Sequence, residues 1–223
     1  MIVVHHLNNS RSQRILWLLE ELGLEYEIKR YQRDPKTMLA PPELKAVHPL
    51  GKSPVITDDA LVVAESGAII EYLVEREGGR FAPATGTPAR LRYSHFLHYA
   101  EGSMMSPLLL KLVFDKVESS PMPFFVKPIA RGIAQKVKGS FVLPQIALHL
   151  GYLEAELGKH PWFSGEEFTA ADIALSFPLE AAAARGGLND KYPRLQDFLK
   201  RIHARPAYAR ALERGGEYQI GKA

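Results

Sequence analysis

The spacing of apolar residues changes repeatedly along the first third of the chain. A short β-branched run at residues 2 to 5 is followed by Ile15, Leu16, Leu18, Leu19 and Leu22, which recur at helical spacing until Gly23. A strand followed by a helix is predicted, with Gly23 and Leu24 placed as a C-terminal cap and its apolar contact. Tyr26 to Tyr31 then alternates in the manner of a second strand, which completes a βαβ unit. After a polar, proline-containing stretch, a short helix is expected near Pro42 to His48. Pro54 to Thr57 and Leu61 to Ala64 flank Asp58, Asp59 and Ala60 as two strands around a hairpin turn. From Ser66 to Glu77, Ile69, Ile70, Leu73 and Val74 share one helical face, and Gly78 and Gly79 end the pattern.

Between Pro83 and Pro88 the composition turns to Pro, Gly, Ala and Thr, as in a linker, and the later periodicity is helical. Leu97, Ala100, Met104, Leu108 and Leu112 step along one long helix that Pro107 is expected to bend. Ile146, Leu150, Leu153 and Leu157 do so in another, and Pro193 and Pro206 fit first helical positions. Glu118 to Gly139 is the segment with the least readable pattern. The expectation is an α/β domain over residues 1–82 followed by an all-α domain over residues 88–223.

Composition narrows the chemistry. With 46% hydrophobic and 24% charged residues, the chain has the make-up of a globular protein. No apolar run approaches the roughly 18 residues of a membrane span, and residues 1–6 lack the layout of a signal peptide. A cytoplasmic protein with no membrane partner is expected. The net charge of +3 is spread over scattered basic residues, so no nucleic-acid partner is expected either. The absence of cysteine excludes disulfides, zinc thiolates and cysteine nucleophiles, so any sulfur chemistry must arrive with a substrate.

Four constellations stand out. His48-Pro49-Leu50-Gly51-Lys52-Ser53-Pro54-Val55 is an unusual way to begin a strand, because Pro54 cannot donate to a ladder. A cis Ser53-Pro54 bond is one solution and an ordinary edge-strand proline the other. Glu65-Ser66 opens a helix whose free N–H groups suit a ligand carboxylate, and Ser66 is equally readable as an N-cap. Ser10-Arg11-Ser12-Gln13-Arg14 starts the first helix at the carboxyl end of the first strand, where α/β sheets bind ligands. Ser10 and Gln13 also have the spacing of a capping box. Thr169 and Asp172 have that spacing too, with Phe168 and Ile173 placed as a hydrophobic staple, and this pair reads as structural. No serine lies in a nucleophile-elbow motif, and the histidines show no metal-ligand spacing. His5 and His6 point to opposite faces of their strand.

In this order the features resemble the glutathione transferase family over essentially the whole chain. The resemblance rests on His48 to Val55, Glu65-Ser66, the linker and the helix start from Thr169 to Asp172. Leu7 to Leu22 and Ala40 to Lys45 are most similar to a microbial branch found in bacteria and fungi. The resemblance implies a thioredoxin-like N-terminal domain followed by an all-helical C-terminal domain, a homodimer, and glutathione as cosubstrate without a metal. It implies that the Ser53 backbone pairs with the cysteinyl unit of glutathione and that Glu65 and Ser66 hold the γ-glutamyl end. Lys52 and His48 would lie near the glycyl carboxylate. The family's thiol-activating residue falls between the first strand and helix. Here Ser10 is the choice, because Arg14 follows at the serine-class spacing, with Ser12 and Asn9 as alternatives. Tyr99, Met104, Met105 and Leu108 are candidate walls for a small-molecule electrophile, each also readable as core.

The implied activity is conjugation of the glutathione thiolate to small apolar electrophiles in detoxification, with peroxide reduction as a second capacity. The alternative is an interaction protein that keeps the fold without transfer activity, motivated by the capping roles open to Ser10 and Ser66. A third reading, glutathione-dependent isomerisation of a dicarboxylic acid, needs basic pocket residues that the sequence does not locate.

Overall fold

The computed structural model describes residues 1–216, 218 and 220. Strands β1 (Ile2–Leu7), β2 (Tyr26–Tyr31), β3 (Val55–Asp58) and β4 (Leu61–Ala64) form one mixed sheet in the order β2-β1-β3-β4. β1 runs parallel to β2, with Ile2 opposite Tyr26, and antiparallel to β3, with Ile2 opposite Asp58. Helix α1 (Ser12–Leu22) makes the crossover between β1 and β2, α2 (Pro42–Val47) precedes β3, and α3 (Ser66–Arg76) follows β4. This is the thioredoxin-like arrangement. Alternation along β1 sends Ile2 and Val4 into the main core, while Leu7 joins Tyr31 and Leu44 of α2 in a small second cluster.

Nine of the eleven residues of α1 are buried, including the consecutive run Ser12 to Leu19. The helix is therefore enclosed on all sides, by the sheet, by α3 and by helices of the C-terminal domain. Gly23 ends it in the left-handed conformation at φ 70°, and Leu24 donates its N–H back to the Leu19 carbonyl at 3.0 Å.

The C-terminal domain contains α4 (Pro88–Tyr99), α5 (Met105–Ser119), α6 (Lys127–Val137), α7 (Leu143–Glu156), α8 (Ala170–Ala181), α9 (Pro193–His203) and α10 (Pro206–Gly215). The long helix expected through Pro107 is interrupted earlier, by a π-helical turn at Ala100–Met104. Pro107 has no N–H for the carbonyl one turn behind it, and the widened turn lies where that mismatch is absorbed. Pro193 and Pro206 take first helical positions as expected. The segment from Glu118 to Gly139 resolves into the end of α5, a connection and all of α6.

Thr169 and Asp172 form the expected capping box. The Asp172 carboxylate, fully buried, accepts hydrogen bonds from the Phe163 N–H at 3.0 Å, the Thr169 N–H at 2.8 Å and the Thr169 hydroxyl at 3.0 Å. Asp172→Ala strands those three donors in the core, at an expected cost of about 3 kcal/mol or more. Chemical denaturation measures it, and a loss below about 1 kcal/mol would show that the box is dispensable.

Candidate functional site

The site is built where β1 turns into α1. Asn9 occupies the left-handed region at φ 49°, a conformation asparagine tolerates better than most residues, and the chain then presents Ser10 before α1 begins at Ser12. The Ser10 and Ser12 hydroxyls are 2.7 Å apart, and Ser12 Oγ is 2.8 Å from His6 Nδ1. Ser10 also donates its hydroxyl to Ser53 Oγ at 3.4 Å, which brings together two predicted site residues 43 positions apart in the chain. Ser53 donates its own hydroxyl proton to the His5 carbonyl at 2.9 Å, and its peptide bond to Pro54 is cis.

The protons in this cluster can be counted. Burial, aided by the Arg30 charge, pushes His6 down to about 4, against a hydrogen bond to the Gly215 carbonyl that favours the charged form. The imidazole is neutral at pH 7 and has one N–H. Given to Gly215, it leaves Nδ1 as an acceptor for the Ser12 hydroxyl. Ser12 and Ser53 are then committed donors, and the Ser10 proton is the one that can be redirected. Ser12 is wholly buried, Ser10 retains 4% exposure, and Asn9 is exposed.

A second cluster centres on Arg14, of which only 1% is exposed. Its guanidinium donates to the Ser66 hydroxyl at 3.0 Å, to the Glu101 carboxylate, and to the Ala174 carbonyl. Ala174 is available because Pro178, four residues later inside α8, has no N–H to offer it. Arg11 adds an ion pair to Glu101 at 3.0 Å, and both guanidinium groups lie over the Phe177 ring, at 5.3 and 5.4 Å. Burial favours the neutral form of Glu101, but Arg14 and Arg11 outweigh it and hold the carboxyl below its ordinary range.

Ser66 is not the cap that its spacing suggested, whereas Ser10 Oγ does accept the Ser12 N–H at 3.3 Å at the start of α1. Ser66 is the first helical residue of α3, Glu65 precedes it at φ 75°, and no side chain caps that terminus. The Ser10–Gln13 box is also not formed. Helix α1 starts two residues later, and the buried Gln13 side chain lies against Gly215, where a β-carbon would fall 2.5 Å from Oε1. Among the other predicted residues, Lys52 and Glu65 are exposed and His48 is half-buried at the end of α2. Tyr99 is buried, with its hydroxyl 2.5 Å from His149 Nδ1 on α7. Met104 and Leu108 are core residues, and Met105 alone of the four is half-buried.

Glu101, Ala174 and Pro178 were not predicted. Two signals mark them: an arginine inside an otherwise enclosed apolar helix demands a buried anion, and a proline inside a helix frees the carbonyl four residues back. A separate cleft of about 490 Å³, lined by Arg80, Phe81, Glu166 and Phe168 among others, includes none of the predicted site residues.

Residues 1–75 match the family model described as Glutathione S-transferase, N-terminal domain, and residues 131–201 match Glutathione S-transferase, C-terminal domain. Glutathione S-transferase 3 of Schizosaccharomyces pombe is 38% identical, with 96% of this chain and 88% of the relative covered. Glutathione S-transferase 1 of Saccharomyces cerevisiae is 34% identical, with 96% and 95% covered. A solved glutathione S-transferase from Actinobacillus pleuropneumoniae superimposes with a TM-score of 0.82 at 38% identity, over 100% of this chain and 97% of the other.

The neutral His6 has a consequence for stability. Its pKa of about 4 in the native protein lies below the ordinary 6.5, so between those values the unfolded chain binds more protons. The contribution is complete above pH 6.5 and drains away as pH falls towards 4, by up to about 1.4 kcal/mol per unit. Unfolding free energies of the wild type and His6→Gln, compared at pH 7 and pH 5, should show the steeper acid loss in the wild type. Parallel losses would contradict the assignment.

Proposed function

The chain belongs to the glutathione S-transferase family, and from that premise we propose that Ser10 is the residue that activates the thiol. The protein is a glutathione transferase, and the bound cosubstrate supplies the sulfur that a cysteine-free chain lacks. The observation that carries the assignment is the proton count. Ser12 is enclosed and engaged with His6, whereas Ser10 gives its hydroxyl proton to a long 3.4 Å contact with Ser53 Oγ and can turn it towards a thiolate. His6 and Ser12 act as positioning residues, because their chain of hydrogen bonds fixes where the Ser10 oxygen sits.

A free thiol has a pKa near 8.5, about 1.5 units above neutrality, so lowering it is the main chemical task. A hydroxyl donor and the N-terminus of α1 both favour the thiolate, which then forms a bond to the electrophilic carbon as the leaving group departs. At the other end of the cosubstrate, Arg14 donates to Ser66 Oγ, which leaves the Ser66 proton for a γ-glutamyl carboxylate. The free N–H groups at the start of α3 would support the same anion, and the Ser53 backbone would pair with the cysteinyl unit. Lys52 and His48 extend the reading to the glycyl carboxylate. Met105 is the member of the proposed electrophile wall that is partly open.

A cytoplasmic homodimer engaged in detoxification completes the proposal. Its dimer part is supported by the exposed apolar Leu91 on α4 and Leu148 on α7, helices joined by the His95–Tyr152 hydrogen bond at 3.0 Å. The interaction-protein alternative keeps only half of its motivation, since Ser66 is not engaged as a helix cap while Ser10 accepts the Ser12 N–H at 3.3 Å.

Ser10→Ala should raise the pKa of bound glutathione and lower turnover at neutral pH, with affinity nearly intact and much of the rate recovered at alkaline pH. Thiolate absorbance of the complex against pH reads this directly. Superimposable titrations of wild type and variant would remove Ser10 from the mechanism and transfer the role to Asn9 or Ser12.

A further inference from the structure

Helix α6 is held to the rest of the protein along one side only. Ala134 is its single buried residue, and its α5-facing side is polar. There Gln135 donates to Glu118 at 3.0 Å, Arg131 lies 3.8 Å from the same carboxylate, and Lys138 bridges Asp115 at 2.7 Å and Glu118 at 2.5 Å. Ile129 and Ile133 precede Arg131 and Gln135 by two residues each, about 200° around a helix. They therefore point away from α5, and they are 65% and 57% exposed. Phe125 continues the same stripe one turn earlier at 65% exposure, and Phe124 beside it is 87% exposed, the two rings edge to face at 5.6 Å.

The charge of this region has one sign. From residue 119 to residue 153 the sequence contains Lys127, Arg131, Lys136 and Lys138 and no Asp or Glu. Lys136, seven residues after Ile129, shares the outer face, Lys127 stands at the tip on the other side of the helix, and both are exposed and form no ion pair among the described residues. An exposed apolar stripe with two aromatic rings at its tip, flanked by unpaired cations, has the make-up of a segment that lies in a lipid interface.

Two other occupants fit less well. A two-fold contact between copies would bring two cationic faces together with no carboxylate opposite, since residues 119–153 contain no Asp or Glu, in a protein already carrying a net +3. A partner helix needs a groove, whereas every residue from Pro123 to Ile129 is exposed, which makes the tip convex. We infer that the connection before α6 and the outer face of α6 dock on the surface of an anionic bilayer, with Phe124, Phe125, Ile129 and Ile133 entering the headgroup region, Lys136 on that face meeting lipid phosphates and Lys127 reaching them from the tip. This is a surface contact. No described helix is long and apolar enough to cross a membrane, and a bilayer-surface contact departs from the expectation of no membrane partner. Docking would place the transferase beside apolar electrophiles dissolved in the bilayer.

Co-sedimentation of the full chain with vesicles tests the inference. Binding is expected to vesicles of equal parts phosphatidylglycerol and phosphatidylcholine, to weaken at least about tenfold on pure phosphatidylcholine, and to fall with added salt. Phe124→Ser with Phe125→Ser, and separately Lys127→Glu with Lys136→Glu, should each remove most of the binding while transferase activity on a water-soluble electrophile is unchanged. Wild-type protein that stays in the supernatant with anionic vesicles overturns the inference, as does a phenylalanine variant that binds like the wild type. If the phenylalanine variant instead converts a dimer to a monomer and the wild type ignores vesicles, the face belongs to a second copy and the lipid assignment is wrong.

Discussion

The buried guanidinium of Arg14 is the constraint around which both halves of the molecule are arranged. A cation with 1% exposure cannot be left unpaired, because removing a partner from a buried ion pair costs about 3–5 kcal/mol. Its partners come from three distant places: Ser66 at the start of α3, Glu101 in the π-helical turn after α4, and the Ala174 carbonyl in α8. Satisfying Arg14 therefore fixes the sheet-bearing domain against the helical one. It also sets the position of Ser66, so the geometry of the proposed anion site and the docking of the domains are one arrangement.

The helix that carries Arg14 has two kinds of surface in sequence. Its first turn is polar and buried, with Ser12 bonded to His6 and Arg14 to Ser66, and its later turns are apolar and buried, with Ile15, Leu16, Leu18 and Leu19 in the core. The apolar part anchors the helix between the sheet and α8 and α10. The polar part then stands at the carboxyl end of β1 with little freedom, as preorganised hydrogen-bond donors require. Neutral His6 extends this rigidity, since a charged imidazole in the same enclosed place would demand an anion that the cluster does not contain.

Much of this was legible in the sequence because local patterns carried it. The period change from Ile2 to Tyr31, the left-handed Gly23, the prolines at 193 and 206 and the Thr169–Asp172 box each follow from short-range physics, and each appears where it was expected. The proposed site residues Ser10, Ser53 and Ser66 were nameable, but their partners were not. Spacing made caps of both serines; Ser10 does accept the local Ser12 N–H, whereas the Ser66 hydroxyl is engaged by Arg14 through a tertiary contact that no local pattern encodes. Glu101 was hidden for the same reason, lying 87 residues from the arginine it neutralises. Tyr99, Met104 and Leu108 show the limit of reading a pocket from helical spacing, because the positions that could line a cavity are also those that fill a core.

A double-mutant cycle between Arg14 and Glu101 tests the account most directly. The unfolding free energies of the wild type, Arg14→Met, Glu101→Met and the double variant give the coupling between the two side chains. Each single variant should be strongly destabilised and the double variant much less so than their sum, with a coupling of about 2 kcal/mol or more. Losses that add to within about 0.5 kcal/mol would contradict it, because the two domains would then be held by packing with Arg14 as a passenger.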